Sequence, residues 1–136
     1  YQITLEARRP TREGRLWDLA QQTLLLSGQR HLTTTRSSHS VDVVAPNVSK
    51  LNVLRQLQAN RPGMDLLAIG DRGRWPGNDY ELLKTPYALS VDELSVDPDT
   101  CWSLAPRGQR GVEATLIYLR ALVSDGAFLR FDLSAR

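Results

Sequence analysis

The residues whose types and spacing could do chemistry are Asp71 and Asp79, two carboxylates separated by a short loop, together with Lys50 upstream. An apolar run, Leu66-Leu67-Ala68-Ile69, leads into Gly70-Asp71, and Asn78-Asp79 precede Tyr80-Glu81-Leu82-Leu83. Uncharged buried strands often end this way at a ligand site. The glycine lets the chain turn sharply, and the next carboxylate projects from the strand's C-terminal edge. A second carboxylate at the following helix start could share a hard cation with the first. Each residue also has a plainer reading. Gly-Asp after a strand makes a turn or a helix cap, Asn78-Asp79 is a good N-cap, and an isolated lysine is usually solvated.

The elements that must position these groups follow from periodicity. Residues 1–7 alternate, with Tyr1, Ile3, Leu5 and Ala7 on one face, as a half-buried strand does. Pro10 breaks the strand and Thr11 offers a cap. Leu16, Leu19, Ala20, Thr23 and Leu24 then fall at helical spacing, with Gly28 as the stop. His31–Arg36 and Ser40–Ala45 are extended on either side of a Ser37-Ser38 turn, a hairpin. The first third therefore reads β-α-β-β. Next, Ser49 or Asn47 caps a helix with Leu51, Leu54 and Leu57 as its stripe. The strand Leu66–Ile69 comes next, then a short helix from about Asp79 to Lys84 and a strand from Tyr87 to Val91. Residues 92–106 read as loop. Gly111–Val123 reads as a helix with Val112, Leu116 and Leu119 inward, and 127–133 as a closing strand. Helices alternating with short apolar strands from residue 46 onward argue for parallel α/β layering.

At 136 residues the chain is one domain's worth of sequence. No apolar run is long enough to span a bilayer and no signal-peptide pattern opens the chain, so neither a membrane partner nor export is expected. Cys101 is the single cysteine. No internal disulfide can form, which fits a reducing, cytoplasmic setting. The net charge of +2 is weak support for nucleic acid, and Glu6, Glu13 and Asp18 lie among the basic cluster Arg8, Arg9, Arg12 and Arg15. No nucleic-acid partner is expected. His31 and His39 lack Cys or acidic neighbours at ligand spacing. Cys101 has no local basic partner that would activate a thiolate. Trp102 reads as core packing.

The order of a lysine at a helix start (Ser49-Lys50-Leu51-Asn52-Val53-Leu54), a strand ending Gly70-Asp71, then Asn78-Asp79 resembles the haloacid dehalogenase superfamily. More narrowly, it looks like the sugar-phosphate phosphatases with a large α/β cap, the group that contains sucrose-phosphatase-like proteins. The resemblance matches Lys50 to that family's third motif and Gly70, Asp71, Asn78 and Asp79 to its fourth. It implies a Mg²⁺-dependent phosphatase that acts on a sugar phosphate or other small phosphoester through an aspartyl-phosphate intermediate. It also implies a doubly wound parallel-sheet core. Residues 1–45 would be the C-terminal part of an α/β cap and 46–136 the C-terminal half of that core. Asp71 would be a direct metal ligand, Asp79 a direct or water-mediated one, and Lys50 the phosphate-neutralising cation. Gly70 and Asn78 would orient phosphate or nucleophile. In a capped phosphatase, Arg36, Ser38 and His39 of the hairpin could face substrate, and Trp75 could stack on a sugar ring.

Two features depart from the family pattern. Six residues, Arg72–Gly77, separate Gly-Asp from Asn-Asp where two are usual, so Asp79 stays in place only if the extra residues bulge outward. The family's opening strand ending in Asp-x-Asp, which carries the nucleophile, does not precede the cap-like segment. Asp97-Pro98-Asp99-Thr100 follows Ser95-Val96 instead of an apolar strand and reads as a turn. The chain begins at Tyr1 inside a strand-like segment, as a piece of a longer protein would. By itself it is expected to be inactive, and to pair with the missing N-terminal part or a second chain. The competing expectation is a non-enzymatic interaction or regulatory module on the same fold.

Overall fold

The computed structural model describes residues 1–12, 14–96, 102–132 and 134, and within them the chain is a mixture of helices and strands. β1 (Gln2–Glu6), α1 (Arg15–Leu26), β2 (Thr33–Arg36) and β3 (Ser40–Val44) make up the first third. The β-α-β-β order expected there is present. The central strand of the sheet is β3, which pairs antiparallel with both β1 and β2. Directly opposed residues share a face, so Gln2, Val44 and Thr33 lie on one side together with Thr4, Asp42 and Thr35. Val41 and Thr34 belong to the other side, where both are buried and α1 packs. The Gln21 amide of α1 donates to the hydroxyl of Thr34 across that contact.

α1 starts after Gly14, which is left-handed (φ 83°), and no side chain caps it, so Thr11 is not its cap. Its inward face is Ala20 flanked by the half-buried Leu16, Trp17 and Leu24, whereas Leu19 and Thr23 point outward. The N-cap position of the next helix, α2 (Leu51–Asn60), is Lys50 and carries no side-chain cap, so neither Ser49 nor Asn47 is its cap; the Ser49 hydroxyl accepts from the Leu51 N–H at 3.1 Å from one position further out.

The strand expected at Leu66–Ile69 is displaced toward the C-terminus. β4 runs Ala68–Arg72 and takes Gly70 and Asp71 into the sheet edge. It pairs in parallel with β5 (Ala88–Glu93), with a register shift between Gly70 and Arg72. The short helix expected from Asp79 is a single 3₁₀ turn, Leu82–Lys84, preceded by turns. On one face of the parallel pair, Ala68 and Ala88 close on Leu83. On the other, Leu89 and Val91 pack against Ala114 and Tyr118 of α3 (Val112–Ala121).

The inward face of α3 differs from the expected one. Val112, Leu116 and Leu119 are exposed, while Ala114, Tyr118 and Ala121 are buried. The reason is the tyrosine hydroxyl. Tyr118 donates to the Ser90 carbonyl at 2.7 Å and accepts from the Leu104 N–H at 3.1 Å. A buried phenol with both functions met is worth more than another exposed leucine turned inward. α3 also stops earlier than expected. Leu122 and Val123 begin β6 (Leu122–Asp125), which forms an antiparallel hairpin with β7 (Phe128–Phe131). The closing strand therefore stands apart from the parallel pair instead of extending it. Trp102 is 63% exposed, so it is not core; its backbone bridges β5 through the Ser90 N–H donating to its carbonyl at 2.7 Å. Glu13, the Asp97–Thr100 turn and Cys101 lie outside the described residues.

Candidate functional site

Lys50, Asp71 and Asp79 meet at the C-terminal end of β4. The Lys50 ammonium is bonded to Asp79 Oδ1. Asp79 Oδ2 accepts from the backbone N–H of Asp71 at 2.9 Å and, more weakly, from that of Arg72 at 3.4 Å. These contacts come from three separate elements: the N-terminus of α2, the end of β4 and the turn before the 3₁₀ segment. Gly70 makes the approach possible. A Cβ there would stand 2.6 Å from Asp79 Oδ2, so any other residue would push the carboxylate away.

The six-residue loop is accommodated outside the site. Its end lies alongside the end of β2: the Arg36 N–H donates to the Pro76 carbonyl at 2.9 Å, and the Asn78 N–H donates to the Arg36 carbonyl at 3.0 Å. Gly77 is folded back so tightly that a Cβ would lie 2.1 Å from the Arg72 carbonyl oxygen. The loop thus bulges onto the hairpin and leaves Asp79 beside Asp71.

The two carboxylates differ in character. The Asp79 side chain is 5% exposed, whereas that of Asp71 is 51% exposed. Burial works to raise the Asp79 pKa. The Lys50 ammonium and the Asp71 N–H outweigh it and hold this carboxyl below its ordinary value. Asp71 is pushed upward, first by burial and then by the neighbouring Asp79 carboxylate, with the Arg72 guanidinium 3.8 Å away opposing. Asp79 is therefore the fixed charge of the pair and Asp71 the one open to an incoming ligand. Asn78 Oδ1 is buried and meets no hydrogen-bond donor among the described residues.

Two separate cavities flank this region. One, of about 490 Å³, lies between the polar face of the antiparallel sheet and the α2 end; Thr33, Thr35, Asp42, Lys50, Trp75 and Asn78 are among its lining residues. Trp75 is half exposed at its rim and meets Tyr80 edge-on at 5.5 Å, while Lys84 Nζ sits 4.9 Å from the Tyr80 ring centre. Arg36, Ser38 and His39 line the other cavity, on the α1 side, so they do not share the Lys50 cleft. Sequence reasoning missed Thr33, Thr35 and Asp42. Their signal was the polar face of an alternating hairpin, which becomes a cleft wall only once β3 is known to be central.

No family model, curated protein or solved structure matches this chain.

Proposed function

We propose that this chain carries the electrostatic half of a Mg²⁺-dependent phosphatase site of the haloacid dehalogenase type, acting on a sugar phosphate or similar small phosphoester. The observation that carries the reading is the Lys50–Asp79–Asp71 arrangement around Gly70. A lysine from a helix start, a strand-end Gly-Asp and a following Asn-Asp converge although 29 residues of sequence separate Lys50 from Asp79. In the phosphatase reading β4 and β5 belong to a larger doubly wound core, and β1–β3 with α1 are the tail of a cap.

The residues fit a hydrated Mg²⁺. The Asp71 carboxylate is accessible, and the Asp79 oxygens are already bonded to Lys50 and to backbone N–H groups. Asp71 would therefore hold the ion directly and Asp79 through water, with the orphaned Asn78 oxygen accepting from a coordinated water. Among the described residues no group of three or more carboxylate, histidine or cysteine ligands is present, so an ion held here would have to complete its shell with water and phosphate. The bound ion would offset phosphate charge during in-line displacement. The Lys50 ammonium draws anionic oxygens toward the cleft, and Asp79 keeps that ammonium in place. The Thr33, Thr35 and Asp42 wall with Trp75 at the rim suits a polyhydroxylated leaving group: hydroxyls to exchange hydrogen bonds and an aromatic face to stack on. Gly70 contributes room for Asp79; no orienting contact to phosphate is needed from it.

The bond-making carboxylate, which would carry the aspartyl-phosphate, is assigned to a preceding Asp-x-Asp strand in the same protein or to a second chain. Two features support an outside partner. β4 is paired only on its β5 side among the described residues, and α2 has no buried residue, with Val53 and Leu57 exposed. Sequencing the coding region upstream of Tyr1 tests this. An apolar strand ending Asp-x-Asp, then a Ser/Thr motif and the rest of a cap, is expected. If no such pair is encoded there, the alternative of a non-catalytic module on this fold replaces the phosphatase reading.

A further inference from the structure

The cavity on the α1 side, about 380 Å³, has a composition of its own. Arg12, Arg36 and Arg72 line it together with Trp17 and the turn residues Ser38 and His39, and no carboxylate is among its described lining residues. Lys50, Asn78 and Asp79 do not reach it. Two of its lining residues carry buried donors without an acceptor among the described residues: the Trp17 indole N–H and the Arg72 Nε–H. A buried donor left unmet is destabilising, so two at residues lining one cavity point to a ligand that accepts hydrogen bonds. The cavity also abuts the first turn of α1, a 12-residue helix whose N-terminus has no side-chain cap. The Arg15 N–H of that turn is already bonded to the Arg12 carbonyl at 3.1 Å and Asp18 lies in the same turn, so the side-chain donors, not the helix end, carry the attraction for an anion.

We infer that this cavity is an oxyanion site, taking a phosphate-class anion on Arg12, the Trp17 indole N–H and Arg72. Arginine guanidinium groups match the geometry of tetrahedral oxyanions, and the indole supplies a further neutral donor. Arg72 ties the cavity to the candidate phosphatase site. Its guanidinium is bonded to Glu93 and lies 3.8 Å from Asp71, while its backbone N–H reaches Asp79. An anion that draws on this guanidinium changes the field at Asp71, a route by which free phosphate can act on the neighbouring carboxylates. The site does not depend on the phosphatase reading: Lys50, Asp71 and Asp79, which carry that reading, do not line the cavity.

The test is an NMR titration of the full chain with inorganic phosphate at constant ionic strength, made up with chloride, following the three tryptophan indole N–H signals. Trp17→Phe assigns its signal. The Trp17 resonance is expected to move and saturate while those of Trp75 and Trp102 stay in place. Arg12→Gln, a change in an exposed segment, is expected to weaken binding by about tenfold, the loss of one charge-assisted bond. Asp71→Asn should keep the phosphate response, at equal or tighter affinity because a negative charge beside Arg72 is removed, while abolishing any response to Mg²⁺. A shift that does not saturate, affinity unchanged in Arg12→Gln, or a phosphate response lost in Asp71→Asn would each overturn the assignment.

Discussion

α2 and α3 have ten residues each, yet they are held in opposite ways. α3 is fixed by burial: Ala114 and Tyr118 are fully enclosed against β5, and the tyrosine hydroxyl joins two further segments. α2 buries nothing completely, and its tie to the chain's polar centre is the Lys50–Asp79 ion pair at its N-terminus. One helix is held by a packed core and the other by a charged pair at its N-terminus. The contrast implies that the residues around Lys50 are arranged for something other than the stability of this chain alone. Apolar area is what usually holds a helix in place.

The contrast can be broken most forcefully from the core side. Tyr118→Ala removes a fully buried ring and leaves the Ser90 carbonyl and Leu104 N–H unmet; a loss of about 3–5 kcal/mol is expected in denaturant unfolding. Gly70→Ala tests the site side. Its Cβ would displace the Asp79 carboxylate, so a loss of about 1–3 kcal/mol is expected, with the Lys50 ammonium released. Chemical shifts of Lys50 Hε and Nζ would register that release; an unchanged Lys50 signal would mean the contact is not set by Gly70.

A subtler change sharpens the contrast by pH. The folded-state pKa of Asp71 is raised above its ordinary 3.8, so its ionisation opposes folding as pH climbs through the raised value, and the penalty is absent below 3.8. Asp71→Asn should therefore raise the melting temperature slightly at neutral pH in the presence of chelator, and the gain should vanish in acid. Asp79 has the opposite sign. Its lowered pKa adds stability above 3.8 that is lost as pH falls through the folded value. Smallest of all, Leu57→Ala on α2 should change stability by less than about 0.5 kcal/mol, because Leu57 is already 47% exposed. Amide exchange should be faster along α2 than along α3.

Much of this arrangement was legible in the sequence. The alternation of residues 1–7 and the Ser37-Ser38 turn mark the strands of the antiparallel layer, although β1 does not bury its apolar face (Tyr1 and Ile3 are exposed), and Gly70-Asp71 with Asn78-Asp79 mark the carboxylate pair. What could not be read had physical causes. The buried face of α3 departs from its leucine stripe because leucine spacing does not reveal that Tyr118 can satisfy its hydroxyl inside. β4 extends past Gly70 because Asp71 and Arg72 meet their partners, Asp79 and Glu93, only through distant contacts. The hairpin residues Arg36, Ser38 and His39 were grouped with Lys50 by sequence. The sheet's two faces separate them, since Arg36 opens toward α1 and Thr35 toward the cleft.

The central claim is that Asp71, Asp79 and Lys50 form a cation and phosphate site. Its most direct test is a Mg²⁺ titration that follows the backbone amides of residues 70–73 and 78–79 in the native chain and in Asp71→Asn. The account predicts saturating shifts confined to those amides in the native chain, at up to millimolar Mg²⁺, and none in Asp71→Asn. Amides that stay unmoved by Mg²⁺, or that move equally in both proteins, would contradict it.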